Sequence, residues 1–171
     1  MKVVIYMAVT ANGLIAKEDD DASFVSNKSW ERFGKMTKSI GNIIVGRRTY
    51  EVSLTDGTFP YPNCLNVVMT SKQIKNKWGN NVIFTKDSPR KVLQFLAERG
   101  FDKAFVAGGG TLNAGFMKGN LVDEIYLDVE PIVFGRGIKL FADEDFEVKL
   151  KLLELIRLSD NELHLHYKVL K

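Results

Sequence analysis

The chain has 171 residues, 45% hydrophobic and 26% charged, which suits one globular domain (residues 1–171) with a full-sized core. A formal net charge of +3 suits a small anionic ligand, while the lack of a basic run with interleaved aromatics argues against nucleic acid. One cysteine, Cys64, excludes an internal disulfide and points to a reducing cytoplasm, and no run approaches the ~18 apolar residues a membrane span needs.

Met1 to Ile5 is too short an apolar run for a signal peptide, and no repeat, low-complexity tract or linker interrupts the chain. Val3 to Val9 is almost unbroken apolar sequence, as expected of a strand covered on both faces. Thr10-Ala11-Asn12-Gly13 ends it, Leu14-Ile15-Ala16 resumes briefly, and the acidic run Glu18 to Asp21 reads as a solvated loop. Asn27 or Ser29 is positioned to cap a helix whose apolar side carries Trp30, Phe33, Met36 and Ile40, with Gly41-Asn42 ending it.

Ile43-Ile44-Val45 is a second buried strand, followed by Gly46-Arg47-Arg48-Thr49. Arginines at the C-terminal end of a strand lie where open α/β sheets bind ligands. They read either as a bidentate clamp for a phosphate monoester or as solvated residues opening a surface helix. Thr55 to Asn63 is a loop, Leu65 to Met69 a strand, and Thr70, Ser71 and Lys72 at its end again suit an anion. Val82 to Phe84 repeats the strand pattern. Ser88 and Pro89 then open a helix with apolar Val92, Leu93, Phe95 and Leu96, stopped by Gly100.

Lys103 to Val106 leads into Ala107-Gly108-Gly109-Gly110, and a helix-like segment from Thr111 to Met117 follows at once. Strand, glycine turn and helix start form a phosphate-binding geometry: no Cβ blocks the backbone N–H groups, and the helix dipole points its positive end at the same place. The spacing matches neither the P-loop nor the dinucleotide G-x-G-x-x-G pattern, and a tight turn is the competing reading.

Alternating strands and helices predict an α/β domain with a mostly parallel central sheet. Leu121 to Val129 reads as a further strand, and Val148 to Leu158 with Leu163 to Leu170 as a C-terminal antiparallel hairpin about Ser159-Asp160-Asn161. His164 and His166 share a face of the last strand but lack a third ligand nearby, so no metal is expected.

Four stretches together resemble the dihydrofolate reductase superfamily, and within it the riboflavin-biosynthesis reductase branch formed by the C-terminal domain of bifunctional deaminase-reductases. They are Met7-Ala8-Val9-Thr10-Ala11-Asn12-Gly13-Leu14-Ile15-Ala16, Val45-Gly46-Arg47-Arg48-Thr49-Tyr50-Glu51, Val106-Ala107-Gly108-Gly109-Gly110-Thr111-Leu112, and Leu121 to Leu127 running on through Pro131-Ile132-Val133-Phe134-Gly135-Arg136-Gly137 to Leu140-Phe141. The resemblance implies a dihydrofolate-reductase-like three-layer α/β/α fold and NADPH as cofactor. It assigns Gly108, Gly109, Gly110, Thr111 and Leu112 to the pyrophosphate. Gly46, Arg47, Arg48, Thr49, Thr70, Ser71 and Lys72 go to the 2′-phosphate end, and Ala8, Ile15 and Ala16 to the nicotinamide.

The chain also departs from its relatives. Asn27-Lys28-Ser29-Trp30 stands where folate reductases carry a carboxylate, with Glu31 out of register, and Asn12 replaces an aspartate common in the branch. A pterin amidine left without its charged partner costs ~2–5 kcal/mol. Tyr126, Asp128 and Glu130 alternate on one strand face, and Asp128 falls at the position of a substrate-contacting threonine in the folate enzymes. Asp128 is thus the candidate catalytic and substrate-binding residue, able to hold substrate N–H groups or supply a proton, with an exposed edge-strand acid as the alternative. Trp30 is the second candidate substrate contact.

The resulting expectation is a cytoplasmic, homodimeric, NADPH-dependent reductase of a C=N or C=O bond in a small heterocycle. The expected type is the 5-amino-6-(5-phosphoribosylamino)uracil reductase of riboflavin biosynthesis. A dihydrofolate or pteridine reductase, and a nucleotide-binding protein without catalysis, are the alternatives. With no deaminase segment before Met1, deamination is expected on another chain, and the final hairpin is the expected dimer contact.

Overall fold

A computed structural model describes residues 1–171. The elements run β1 (Lys2–Thr10), β2 (Leu14–Ala16), α1 (Asn27–Ile40), β3 (Asn42–Gly46), α2 (Arg47–Thr55), β4 (Leu65–Met69), β5 (Val82–Thr85), α3 (Pro89–Glu98), β6 (Lys103–Val106) and α4 (Gly110–Lys118). β7 (Glu124–Glu130), β8 (Ile138–Lys139), β9 (Lys149–Arg157) and β10 (Leu163–Leu170) complete the chain. The main sheet has the order β5-β4-β3-β6-β1-β7-β10-β9. Its first six strands are parallel; in the terminal hairpin only β10 runs against them, and β9 returns to their direction at the sheet edge.

Alternation along β1 explains the three layers. Val3 and Ile5 point to one face, where Val92 and Leu96 of α3 and Phe116 and Met117 of α4 close the core. Val4 and Tyr6 point to the other, against Phe33 and Met36 of α1 and Tyr50 of α2. Burial of each large apolar side chain contributes about 1.5–3 kcal/mol, and β1, β3 and β6 bury nearly every residue on both faces. That leaves the C-terminal ends of these strands as the open rim where a ligand can sit.

Several boundaries differ from the sequence reading. The helix α1 is capped by Ser26, whose hydroxyl accepts from Ser29 N, and not by Asn27 or Ser29. Ser88 holds the cap position of α3 but makes no side-chain cap bond. The β7 strand begins at Glu124 instead of Leu121, because Leu121 N still bonds Phe116 O to close the turn after α4. Asp123 then anchors β1, accepting from Val3 N at 2.7 Å. The two-stranded sheet of β2 and β8 has no signal in the sequence.

Candidate active site

One cavity of about 1180 Å³ opens at the C-terminal rim of β1, β3, β4 and β6. At its base two helices begin side by side. Gly46 caps α2 and Gly109 caps α4, and neither helix has a side-chain cap bond. The first-turn N–H groups of both therefore lack intrahelical partners and face a common space, with both dipoles positive toward it. A Cβ on Gly46 would stand 3.7 Å from Gly108 O and 3.8 Å from Gly109 N, so the two turns are in near contact. Gly46 N donates to Gly108 O at 2.8 Å, joining the end of β3 to the glycine turn, where Gly108 has φ +91 and the Gly108–Gly109 peptide is cis.

Above this cradle stand the two arginines, each already engaged. Arg47 Nη1 lies 2.7 Å from Glu51 Oε2, and Arg48 Nε lies 2.5 Å from Asp20 Oδ1, with Arg48 Nη2 donating to Glu18 O at 3.0 Å. The acidic run is thus not wholly a solvated loop. It folds back over α2, with Asp20 in the left-handed region at φ +73, and Asp20 and Asp21 join the cavity wall.

The far half of the cavity is aromatic. Phe33 lies at its centre, 6.0 Å from the Tyr6 ring, 5.7 Å from Trp30 and 5.7 Å from Tyr61 between ring centroids. The Tyr6 hydroxyl donates to Asp128 Oδ2, and Ser29 O lies 3.0 Å from it. Burial, then the Asp128 carboxylate, raise the Tyr6 pKa well above the ordinary phenol range, so the hydroxyl stays protonated. Asp128 is 1% exposed, with Oδ1 2.5 Å from His164 Nδ1 and 3.8 Å from Arg32 Nε. Beside it Glu130 Oε1 accepts from Ser29 Oγ at 2.7 Å and from Ser26 N at 2.9 Å, which fixes the start of α1.

Of the residues read from the sequence, Ala8, Ile15, Ala16, Gly46, Arg47, Arg48, Thr49, Gly109, Gly110, Thr111, Leu112 and Trp30 line this one cavity. Gly108 lies behind the wall as the turn's hinge. Thr70, Ser71 and Lys72 lie off the wall, past Met69, with Ser71 and Lys72 exposed. Asp128 needs a correction: it is neither an exposed edge acid nor a wall residue. It sits in the sheet behind Tyr6, because Tyr6 in the neighbouring strand reaches across it. The two histidines face that same layer. His164 bonds Asp128, while His166 stacks on Tyr126 at 4.0 Å, its Nε2 3.1 Å from Glu124 Oε2 but without hydrogen-bond alignment.

Sequence reasoning missed Tyr6, Phe33, Tyr61 and Asp56 as wall residues. A tyrosine inside an otherwise apolar strand was the one available signal, since a buried hydroxyl needs a partner. No helix of the protein is long and apolar enough to cross a membrane.

Comparison with known proteins places this geometry. Protein YwjB of Bacillus subtilis (strain 168), itself uncharacterized, is 32% identical over 155 residues, covering 88% of each chain. A putative riboflavin biosynthesis protein from Shewanella sp. PV-4 superposes with a TM-score of 0.86 over the whole of both chains at 19% identity. The Thermotoga maritima diaminohydroxyphosphoribosylaminopyrimidine deaminase/5-amino-6-(5-phosphoribosylamino)uracil reductase matches 99% of this chain with 56% of its own, at a TM-score of 0.76 and 19% identity. The fold is therefore dihydrofolate-reductase-like. The RibD C-terminal domain model matches residues 1–164, and the chain belongs to that family.

Proposed function

We propose that the protein is an NADPH-dependent reductase that transfers a hydride to a C=N or C=O carbon of a flat pyrimidine- or pteridine-like ring. The observation that carries this is the pair of glycine-capped helix starts, Gly46 and Gly109, opening beside Arg47 and Arg48 on one wall. Those groups fit the cofactor: uncapped N–H groups suit a pyrophosphate, and guanidinium groups suit a phosphate monoester. NADPH, when bound, supplies the hydride from its nicotinamide. The chain's own part is to hold and to orient.

Gly109, Gly110, Thr111 and Leu112 grip the pyrophosphate, and Arg47, Arg48 and Thr49 take the 2′-phosphate. Ala8, Ile15 and Ala16 wall the nicotinamide against water. Thr70, Ser71 and Lys72 stand outside as a weaker electrostatic fringe. Tyr6 lines the aromatic half with its hydroxyl tied to Asp128, which acts through it as a positioning residue, held in turn by His164. Trp30 closes the ring slot from solvent.

Two arms test the reading: titration with NADPH against NADH, and hydride transfer from C4-deuterated NADPH to a pyrimidine, pteridine and quinone panel. A clear preference for NADPH together with deuterium in a product supports the proposal. Preference without transfer leaves a nucleotide-binding protein, and absence of preference removes the assignment. The assembly we propose is a homodimer through β9, an edge strand whose residues are all exposed, among them Leu150, Leu152, Leu153 and Leu155. The lone thiol suits a reducing cytoplasm as the site of reaction.

A further inference from the structure

The aromatic half of the cavity also has a polarity, and it bears on the substrate. Hydrogen-bond bookkeeping there is one-sided. The Tyr6 hydroxyl gives its hydrogen to Asp128, Ser29 Oγ to Glu130, Ser53 Oγ to Thr49 O and Thr58 Oγ1 to Ser53 O. Because Ser53 has already used its only hydrogen, the 2.7 Å contact between Ser53 Oγ and the Tyr61 hydroxyl is donated by Tyr61. Five hydroxyls thus commit their hydrogens to the protein. Ser53 Oγ also accepts from Tyr61 and Ser29 Oγ from Ser26 Oγ, while Tyr6, Tyr61 and Thr58 keep their lone pairs, so this half of the wall offers acceptors.

Charge points the same way. The cavity wall carries three cations, Arg47, Arg48 and Lys139, and each is in an ion pair, with Glu51, Asp20 and Asp143. Asp56, exposed at the C-terminal end of α2 near the aromatic slot, has no ion-pair partner. The one uncompensated charge on the wall is negative. Once the arginines engage a cofactor phosphate, Asp20 loses its partner and the surroundings become more negative still.

We infer that the substrate half of this cavity is built for a flat, amino-bearing ring, uncharged or cationic, with no phosphate and no carboxylate. The inference rests on the reductase reading above and narrows it. A phosphoribosyl group would find no free cation outside the cofactor end, and an anionic tail would meet Asp56. Exocyclic amino and ring N–H groups would find the lone pairs of Tyr6 and Tyr61, and the ring would lie against Phe33 and Trp30.

Calorimetric titration of the NADPH-saturated protein with two pairs of probes tests this. The first pair is 2,4-diaminopteridine and its dioxo counterpart lumazine; the second is cytidine and cytidine 5′-monophosphate. The first member of each pair is expected to bind about tenfold tighter, and Asp56→Lys to erase the difference in the second pair. Equal or tighter binding of lumazine or of the monophosphate overturns the inference, and so does failure of all four probes to bind. Failure of NADPH itself to bind removes the parent reading instead, so the two failures are told apart in the first titration.

Discussion

Arg48→Ala gives the sharpest test of how the anion end works. The Arg48 guanidinium is not idle: it holds Asp20 at 2.5 Å and the Glu18 carbonyl at 3.0 Å. On the proposed reading, a 2′-phosphate that engages Arg48 displaces Asp20. Hydrogen bonds between charged groups contribute about 1.5–3 kcal/mol each. The displaced pair, with side chains 57% and 27% exposed, contributes only about 0–1 kcal/mol after solvent screening. The difference leaves roughly 1–2 kcal/mol, so NADPH affinity should fall about 5- to 30-fold in Arg48→Ala, while NADH affinity is unchanged. Removing the competitor should act oppositely, with Asp20→Ala tightening NADPH by up to about fivefold. Titrations at low and high salt provide the assay, since the NADPH preference should shrink as the Debye length shortens from about 10 Å. Equal losses for NADH and NADPH in Arg48→Ala, or weaker NADPH binding in Asp20→Ala, would refute the reasoning.

Other expectations follow from neighbouring features. Tyr6→Phe and Asp128→Asn should each lower turnover at least tenfold with the NADPH dissociation constant unchanged, and a pH–rate profile altered in Asp128→Asn but restored by Asp128→Glu would separate positioning from mere support. Gly110→Ala places a Cβ 2.3 Å from Lys139 O, so melting should drop by the equivalent of about 1–3 kcal/mol and NADPH binding should weaken with it. Burial pushes the Cys64 thiol up to about 11, from 9.0. A raised acid favours the folded state below its unfolded value, so that contribution should be lost as pH climbs from about 9 toward 11, and thiol reagents at pH 8 should react slowly until the protein unfolds. Leu153→Lys with Leu155→Lys should convert a dimer into a monomer by light scattering; an unchanged mass would move the interface elsewhere.

Much of the geometry at the glycine and arginine end of the cavity could be read from the sequence because its signals are local. A strand, three glycines and a helix start occupy consecutive positions, and the arginine pair follows β3 directly. The terminal hairpin was equally plain, since two apolar runs flank Ser159-Asp160-Asn161. What stayed hidden depends on contacts far apart in the chain. Asp20 reaches Arg48 only because its loop takes a left-handed turn and folds back across α2. The burial of Asp128 is decided by Tyr6, 122 positions away, and by His164 in a strand that arrives last. Tyr61 belongs to a proline-containing loop whose composition says only that it turns. The short pairing of β2 with β8 is too brief for any periodicity to reveal.

That pairing is one of several backbone ties behind the glycine turn. Leu140 N bonds Gly13 O, Ala142 N bonds Gly110 O, and Asn113 Nδ2 bonds Leu140 O, all within about the same turn of chain. The glycine turn is therefore braced from a segment far along the chain, which also contributes Lys139 and Ala142 to the cavity wall. A dinucleotide arriving there has little backbone left to organise, since that freedom was surrendered when the chain folded. Loosening the brace, for instance with Asn113→Ala, would surface as slower capture and a larger entropic penalty, with every contacting group still in place.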